Sequence, residues 1–165
     1  MYIYNKKFCN RQTVPLFTIS FFPFKDYPAV PYEAKDFHQP PCDIYDYNNA
    51  DEVRNCYLVG LNDLDSSTDY VRGKTADYIN DLISLGVKGF RVDAAKHMWP
   101  EDIEAIQAKV DEIDGNQPFF FHEVIDQGGE AVSMDEYFDL GKVTEFNAGS
   151  WLACIRDNDL FCLDG

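Results

Sequence analysis

The stretch Gly89–Trp99, GFRVDAAKHMW, decides the fold. It reads as a buried β-strand that delivers a carboxylate, Asp93, to the edge of a sheet and then breaks into a loop. Side chains alternate along a strand, so Val87, Gly89, Arg91 and Asp93 share one face and Lys88, Phe90 and Val92 share the other. Arg91 and Asp93 therefore point the same way. A guanidinium beside a carboxylate favours the ionised form, which is the form a nucleophile needs. The same spacing also fits a structural ion pair at a strand end.

A second stretch, Pro118–Glu130, PFFFHEVIDQGGE, repeats the pattern: an apolar strand that ends in a carboxylate, Glu123. Glu123 follows Asp93 by 30 residues, and the segment between them is helical in pattern. That is the length of one strand–helix–strand unit. Right-handed crossovers make the two strands parallel, so both acids should leave the same, C-terminal, edge of one sheet. Two carboxyl groups at neighbouring strand ends are the equipment of a nucleophile with a general acid, as in glycoside hydrolysis. The apolar Phe119–Phe121 run before Glu123 predicts an apolar setting, which favours the protonated form of a carboxyl group.

The flanking periodicities extend the alternation. Val71, Thr75, Tyr78, Leu82 and Leu85 recur at three- and four-residue steps, widened by Ile79 and Ile83, and predict a helix over Thr68–Leu85 with Thr68 as N-cap and Gly86 as stop. The strand Val87–Asp93 comes next. Pro100 fits the first turn of a helix with the apolar face Ile103, Ile106, Val110 and Ile113. Gly115–Pro118 is a return turn, Phe119–Val124 the next strand, and Val143–Phe146 the start of a third. Pro28–Asp69, with four prolines and no sustained apolar period, reads as irregular. Helices and strands in this alternation belong to an α/β fold with a parallel sheet.

Composition sets bounds. The 165 residues carry 14 basic and 29 acidic side chains, a formal charge of −15. Such an excess of negative charge argues against nucleic acid or an anionic membrane surface as partner. Residues 1–25 hold Lys6, Lys7, Arg11 and Lys25 and no acid, so a composition break falls near Lys25–Asp26. The apolar run Val14–Phe24 of this leader is broken by Pro15 and Pro23, lacks a small-residue cleavage site, and is too short to span a bilayer. It reads as a stretch unrelated to the rest of the chain. Five cysteines leave at least one unpaired within the chain.

GFRVDAAKHMWPEDI and FHEVIDQGGE resemble two signature segments of animal α-amylases, in the large α-amylase family of glycoside hydrolases. The resemblance runs from about Tyr27 to about Gly149. It implies part of a (β/α)8 TIM barrel, since a complete one needs about 250 residues. It divides the chain into an unmatched leader (1–25), the end of the small calcium-side excursion domain (26–67), the central part of the barrel (68–149) and an unmatched tail (150–165).

The resemblance also implies roles. Asp93 would be the nucleophile of a retaining glycosidase and Glu123 its general acid/base. Tyr47, Leu58, Leu61, Lys96, His97, Ile125 and Glu130 would contact sugar. Arg54 and His97, through their carbonyls, and Asp63 would bind a structural calcium in an incomplete site, and Arg91 would be one ligand of an incomplete chloride site. Cys42 and Cys56 would form a disulfide, while Cys9, Cys154 and Cys162 lie outside the resemblance. The family's third carboxylate, in a V-D-N-H-D-like motif, has no counterpart; Asp157, Asn158 and Asp159 lack the apolar strand that should precede it. The implied substrate is an α-glucan such as starch or glycogen, and the implied setting is a secreted monomer. The isolated chain is expected to be inactive. A different hydrolase or transferase of the family, or a non-catalytic binding protein, are the alternatives.

Overall fold

A computed structural model describes residues 30–148. The leader 1–25, the tail 150–165 and the cysteines Cys9, Cys154 and Cys162 lie outside the described residues. Within them, a six-residue helix α1 (Ala50–Asn55) is followed by α2 (Asp69–Ser84), strand β1 (Gly89–Val92), α3 (Pro100–Gln107), β2 (Phe119–His122) and β3 (Lys142–Val143). The strands form one parallel sheet in the order β1–β2–β3, with Gly89 opposite Phe119 and Val92 opposite His122. Helix α3 makes the crossover from β1 to β2. A 3₁₀ helix, Met134–Leu140, precedes β3.

The local signals act where expected. The Thr68 hydroxyl accepts from the Val71 amide at 3.4 Å and starts α2, and Gly86, at φ +93°, ends it. A β-carbon would be strained in that conformation. Pro100 opens α3 at a position whose amide would have no helical partner.

Three expectations need correction. Helix α3 stops at Gln107 instead of running to Ile113. Val110 is still buried, but it is reached by a tightened turn from Gln107, while Ile113 pairs with Asn116 across Asp114-Gly115. Both turn residues take positive φ, +54° and +78°, the signature of an Asp-Gly hairpin turn, and that turn overrides the helical period. The strands are shorter than the apolar runs, and β3 begins one residue earlier than expected and ends at Val143. The region read as irregular holds α1, capped by the Asn49 side chain on the Glu52 amide; a helix of six residues has too few turns for its period to be read. The disulfide Cys42–Cys56, with Cα atoms 4.8 Å apart, ties the end of α1 to the preceding loop.

The core lies on one side of the sheet. Phe90, Val92, Phe120 and Val124 pack with Ile79 of α2 and with Ile103, Ile106 and Val110, and the Phe90 and Phe120 rings stack at 5.5 Å. Each such aromatic or aliphatic side chain contributes roughly 1.5–3 kcal/mol by leaving water. Gly89, Arg91, Phe119 and Phe121 lie on the opposite face, which is open: Phe119 is 55% exposed. Among the described residues no helix is long and apolar enough to cross a membrane.

Candidate active site

The C-terminal edge of the sheet gathers the charged groups. Arg91 forks: Nη1 donates to Asp93 Oδ1, and Nη2 pairs with Glu123 Oε1 at 2.5 Å. The parallel register that sets Val92 opposite His122 sets the two acids side by side just beyond the strand ends. Both carboxylates remain about one-fifth to one-quarter exposed, so a ligand can reach them. The second oxygen of Glu123 accepts from the Ala94 amide at 3.1 Å. Ala94 takes a left-handed conformation, φ 51° and ψ 36°. That costs a non-glycine residue roughly 1–2 kcal/mol and persists only where the surroundings fix it.

The surroundings of Glu123 differ from the expectation. Its carboxylate, just beyond the strand end, meets the Arg91 guanidinium and the Ala94 amide instead of an apolar lining, although Phe119 and Phe121 share its face of the sheet. His122, one residue earlier, also turns away. It is fully buried, with Nε2 against the Leu140 carbonyl at 3.2 Å, and among the described residues Nδ1 has no partner. Burial pushes its pKa down, against the opposing bond to Leu140.

Five of the seven predicted sugar-contact residues come together beside this edge. Lys96 is 5% exposed; its Nζ donates to the Ile125 carbonyl at 2.8 Å, pairs with Glu130, and stands 5.4 Å from the centre of the Tyr47 ring. Tyr47 meets His97 edge-on at 6.3 Å, and its carbonyl accepts from the Ala131 amide. The His97 Nδ1 donates to the Val53 carbonyl at 2.9 Å, which leaves Nε2 as an acceptor. Burial lowers the pKa of this imidazole despite that bond. Leu58 and Leu61 sit half-buried in the loop after α1, joined to each other by a backbone bond. Among the described residues no hydrogen bond or ring contact links them to the cluster.

The cation candidates are few. Arg54 stands in the last turn of α1, where helix carbonyls have no helical partner, and the neighbouring carbonyl of Val53 is the one that receives His97. Asp63 lends its carboxylate to His38 Nδ1 at 2.6 Å, and that contact raises the His38 pKa. Two carbonyls and a carboxylate are the hard oxygens calcium takes, although it takes six to eight. Among the described residues no three His, Cys, Asp or Glu side chains form a metal cluster. The residues present thus fit the beginning of a calcium site. Arg91, the one residue present of the expected chloride site, turns Nη1 to Asp93 and Nη2 to Glu123.

What the sequence reading missed is a buried polar node beneath the cluster. The Arg54 side chain lies over Trp99, 4.5 Å from the ring centre, and pairs with Glu136 at 2.6 Å. Its Nε and Nη2 both donate to the Tyr137 hydroxyl at 3.3 Å. That hydroxyl donates in turn to the Met98 carbonyl at 2.8 Å. Burial pushes the Tyr137 pKa up to about 12, with Arg54 opposing. Trp99 also donates through Nε1 to Asn55 at 3.0 Å. No sequence period could have announced this node, because Arg54 and Tyr137 are separated by 83 residues.

No family model matches the chain. Known α-amylases do. The alpha-amylase of Tribolium castaneum is 54% identical over 132 residues, 76% of this chain and 27% of that protein. Pancreatic alpha-amylase 2a5 of Mus musculus is 52% identical over 139 residues, 79% of this chain and 27% of that protein. The crystal structure of wild type alpha-amylase I from Eisenia fetida superposes with a TM-score of 0.76 at 48% identity, covering 81% of this chain and 29% of that one. A mutant of the same Eisenia protein, in complex with maltohexaose, superposes equally well, with a TM-score of 0.76. A cyclomaltodextrin glucanotransferase superposes with a TM-score of 0.55 at 26% identity over 68% of this chain. The parallel sheet with its helices is accordingly an arc of the barrel of these glycoside hydrolases. The chain spans a little over a quarter of the length of the relatives it matches, and it belongs, as a partial chain, to the animal-type α-amylases.

Proposed function

We propose that this chain carries the nucleophile and the acid/base of a retaining, endo-acting α-1,4-glucan hydrolase that acts on starch or glycogen. One observation carries the reading: a single guanidinium, Arg91, holds Asp93 and Glu123 together at the ends of adjacent parallel strands. Retention needs two carboxyl groups close enough to flank one bond. Asp93 attacks the anomeric carbon while Glu123 gives its proton to the glycosidic oxygen. The carbon–oxygen bond to the leaving sugar breaks as the bond to Asp93 forms. A water molecule, deprotonated by Glu123, then releases the sugar from Asp93 with its configuration restored.

Tyr47, Lys96, His97, Ile125 and Glu130 form the adjoining wall, an aromatic ring with a few fixed polar groups, which is the lining a sugar cleft uses. Leu58 and Leu61 would extend it. The carbonyls of Arg54 and His97 with Asp63 would hold calcium, whose contribution is to tie the excursion (26–67) to the barrel part (68–149). A secreted protein would suit the Cys42–Cys56 disulfide. The hydrolase is favoured over a transferase of the same family by the closer likeness to the Eisenia amylase, TM-score 0.76 against 0.55.

Starch hydrolysis tests the reading. In the protein that contains this segment, Glu123→Gln is expected to lower kcat by about a thousandfold, the scale of general acid–base catalysis. The released sugar, followed by proton NMR, should be the α-anomer first. Full activity in Glu123→Gln, or β-anomer as the first product, overturns it. The 165-residue chain made alone is expected to leave starch intact, because the face that bears Arg91 is open in it.

A further inference from the structure

The strained loop at the mouth of β1 is held at both ends. Its first residue, Ala94, is left-handed and gives its amide to Glu123. Its far end, Met98, gives its carbonyl to the hydroxyl of Tyr137, and the Lys96 carbonyl lies within 3.3 Å of the same oxygen. Between these ends stand Lys96 and His97. A left-handed alanine persists only where its surroundings over-determine it, and Glu123 alone supplies one amide contact. Tyr137 is 0% exposed, and its hydroxyl is fully used: it accepts two bonds from Arg54 and donates one. It reaches the loop from the 3₁₀ helix before β3, whereas Arg54 reaches the same oxygen from α1. Three separate segments therefore meet on one phenol oxygen directly under the candidate cleft.

We propose that Tyr137 is a positioning residue of the cleft: its hydroxyl pins the Ala94–Met98 loop, and through the loop it orients the Ala94 amide on Glu123 and the Lys96 ammonium on Ile125 and Glu130. This rests on the glucan-hydrolase reading for its kinetic consequence but not for its structural one. A hydroxyl that only filled the core would leave the cleft unmoved when replaced by hydrogen.

The test is Tyr137→Phe, which removes the hydroxyl and keeps the ring. By amide hydrogen exchange, Ala94–Met98 and Ile125–Glu130 are expected to exchange about fivefold faster in the variant, with α2 unchanged. On maltohexaose, kcat is expected to fall about tenfold and the pH–rate profile to shift, with KM changing less. Exchange that rises uniformly, or kinetics and pH profile that stay put while only the melting temperature falls, overturns the proposal. If the parent protein cleaves no α-glucan, the functional reading fails, and the exchange pattern still decides the role of Tyr137. If Tyr137→Phe does not fold, Glu136→Gln at a half-exposed position loosens the Arg54 side of the node. A smaller rise at the same amides supports the proposal, and no rise there overturns it.

Discussion

The two faces of the three-stranded sheet follow the same two-residue period and serve opposite ends. On one, Phe90, Val92, Phe120, His122 and Val124 are sealed against α2, α3 and the 3₁₀ helix. On the other, Arg91 spreads its charge over two carboxylates while Phe119 and Phe121 stand beside it. The sealed face fixes where the strands lie, and the open face gathers the charged groups at their ends. Ionised groups can be crowded there because solvent still reaches them, whereas the same crowding in the sealed face would cost several kcal/mol per ion.

The contrast can be broken most directly in the core. Phe90→Ala should destabilise by about 4 kcal/mol, because the Phe120 ring loses its stacking partner and a cavity opens. Phe119→Ala, on the exposed face, should cost under about 1 kcal/mol. Urea unfolding of both variants measures the gap, and equal losses would show that the faces are not distinct. Replacing Cys42→Ser together with Cys56→Ser removes a link outside both faces; opening a loop with a separation of 14 residues should cost about 3 kcal/mol, read in the same way.

Arg91→Met sharpens the chemical side. In the protein that contains this segment, kcat on starch should fall about a hundredfold, roughly 2.7 kcal/mol, while the melting temperature moves little. A large thermal loss with kcat kept would make Arg91 a structural residue. The smallest effect concerns His122. Burial holds its folded pKa below the unfolded value near 6.5. The unfolded chain therefore takes up the proton first, and stability falls as pH drops below about 6.5. The groups that face the ring, Gln107 and the Leu140 carbonyl, carry no charge. His122→Gln should flatten the fall in urea midpoint between pH 7 and pH 5. An unchanged slope would mean that His122 is not the source.

Much of the fold was legible because the signals were local. Thr68 and Gly86 bracket α2 through bonds and dihedrals within four residues of each end, and the alternation in GFRVD put Arg91 and Asp93 on one face. Helix α3 was over-read because the apolar spacing continues through Val110 and Ile113 after the helix has ended, up to the Asp114-Gly115 turn. Of the seven residues that the resemblance assigns to sugar contact, the structure gathers five around Lys96. The setting of Glu123 was misread. Strand parity keeps Phe119 and Phe121 on the face of Glu123 and sends only Phe120 away, but the carboxylate lies beyond the strand end, where the Arg91 guanidinium and the Ala94 amide meet it.

What the sequence determined by itself is what depends on a sustained period and a local cap: helix α2, the start of α3, the strand faces, and the identity of the two acids as residues at strand ends. What only the tertiary structure decided is partnership at a distance. Arg91 joins carboxylates from two strands, Asp63 goes to His38, and Arg54 and Tyr137 meet across 83 residues. The reason is physical. Backbone geometry repeats every two or 3.6 residues and so leaves a trace in the chain, whereas a buried hydrogen bond needs only that two groups arrive at one place, and no spacing records that arrival.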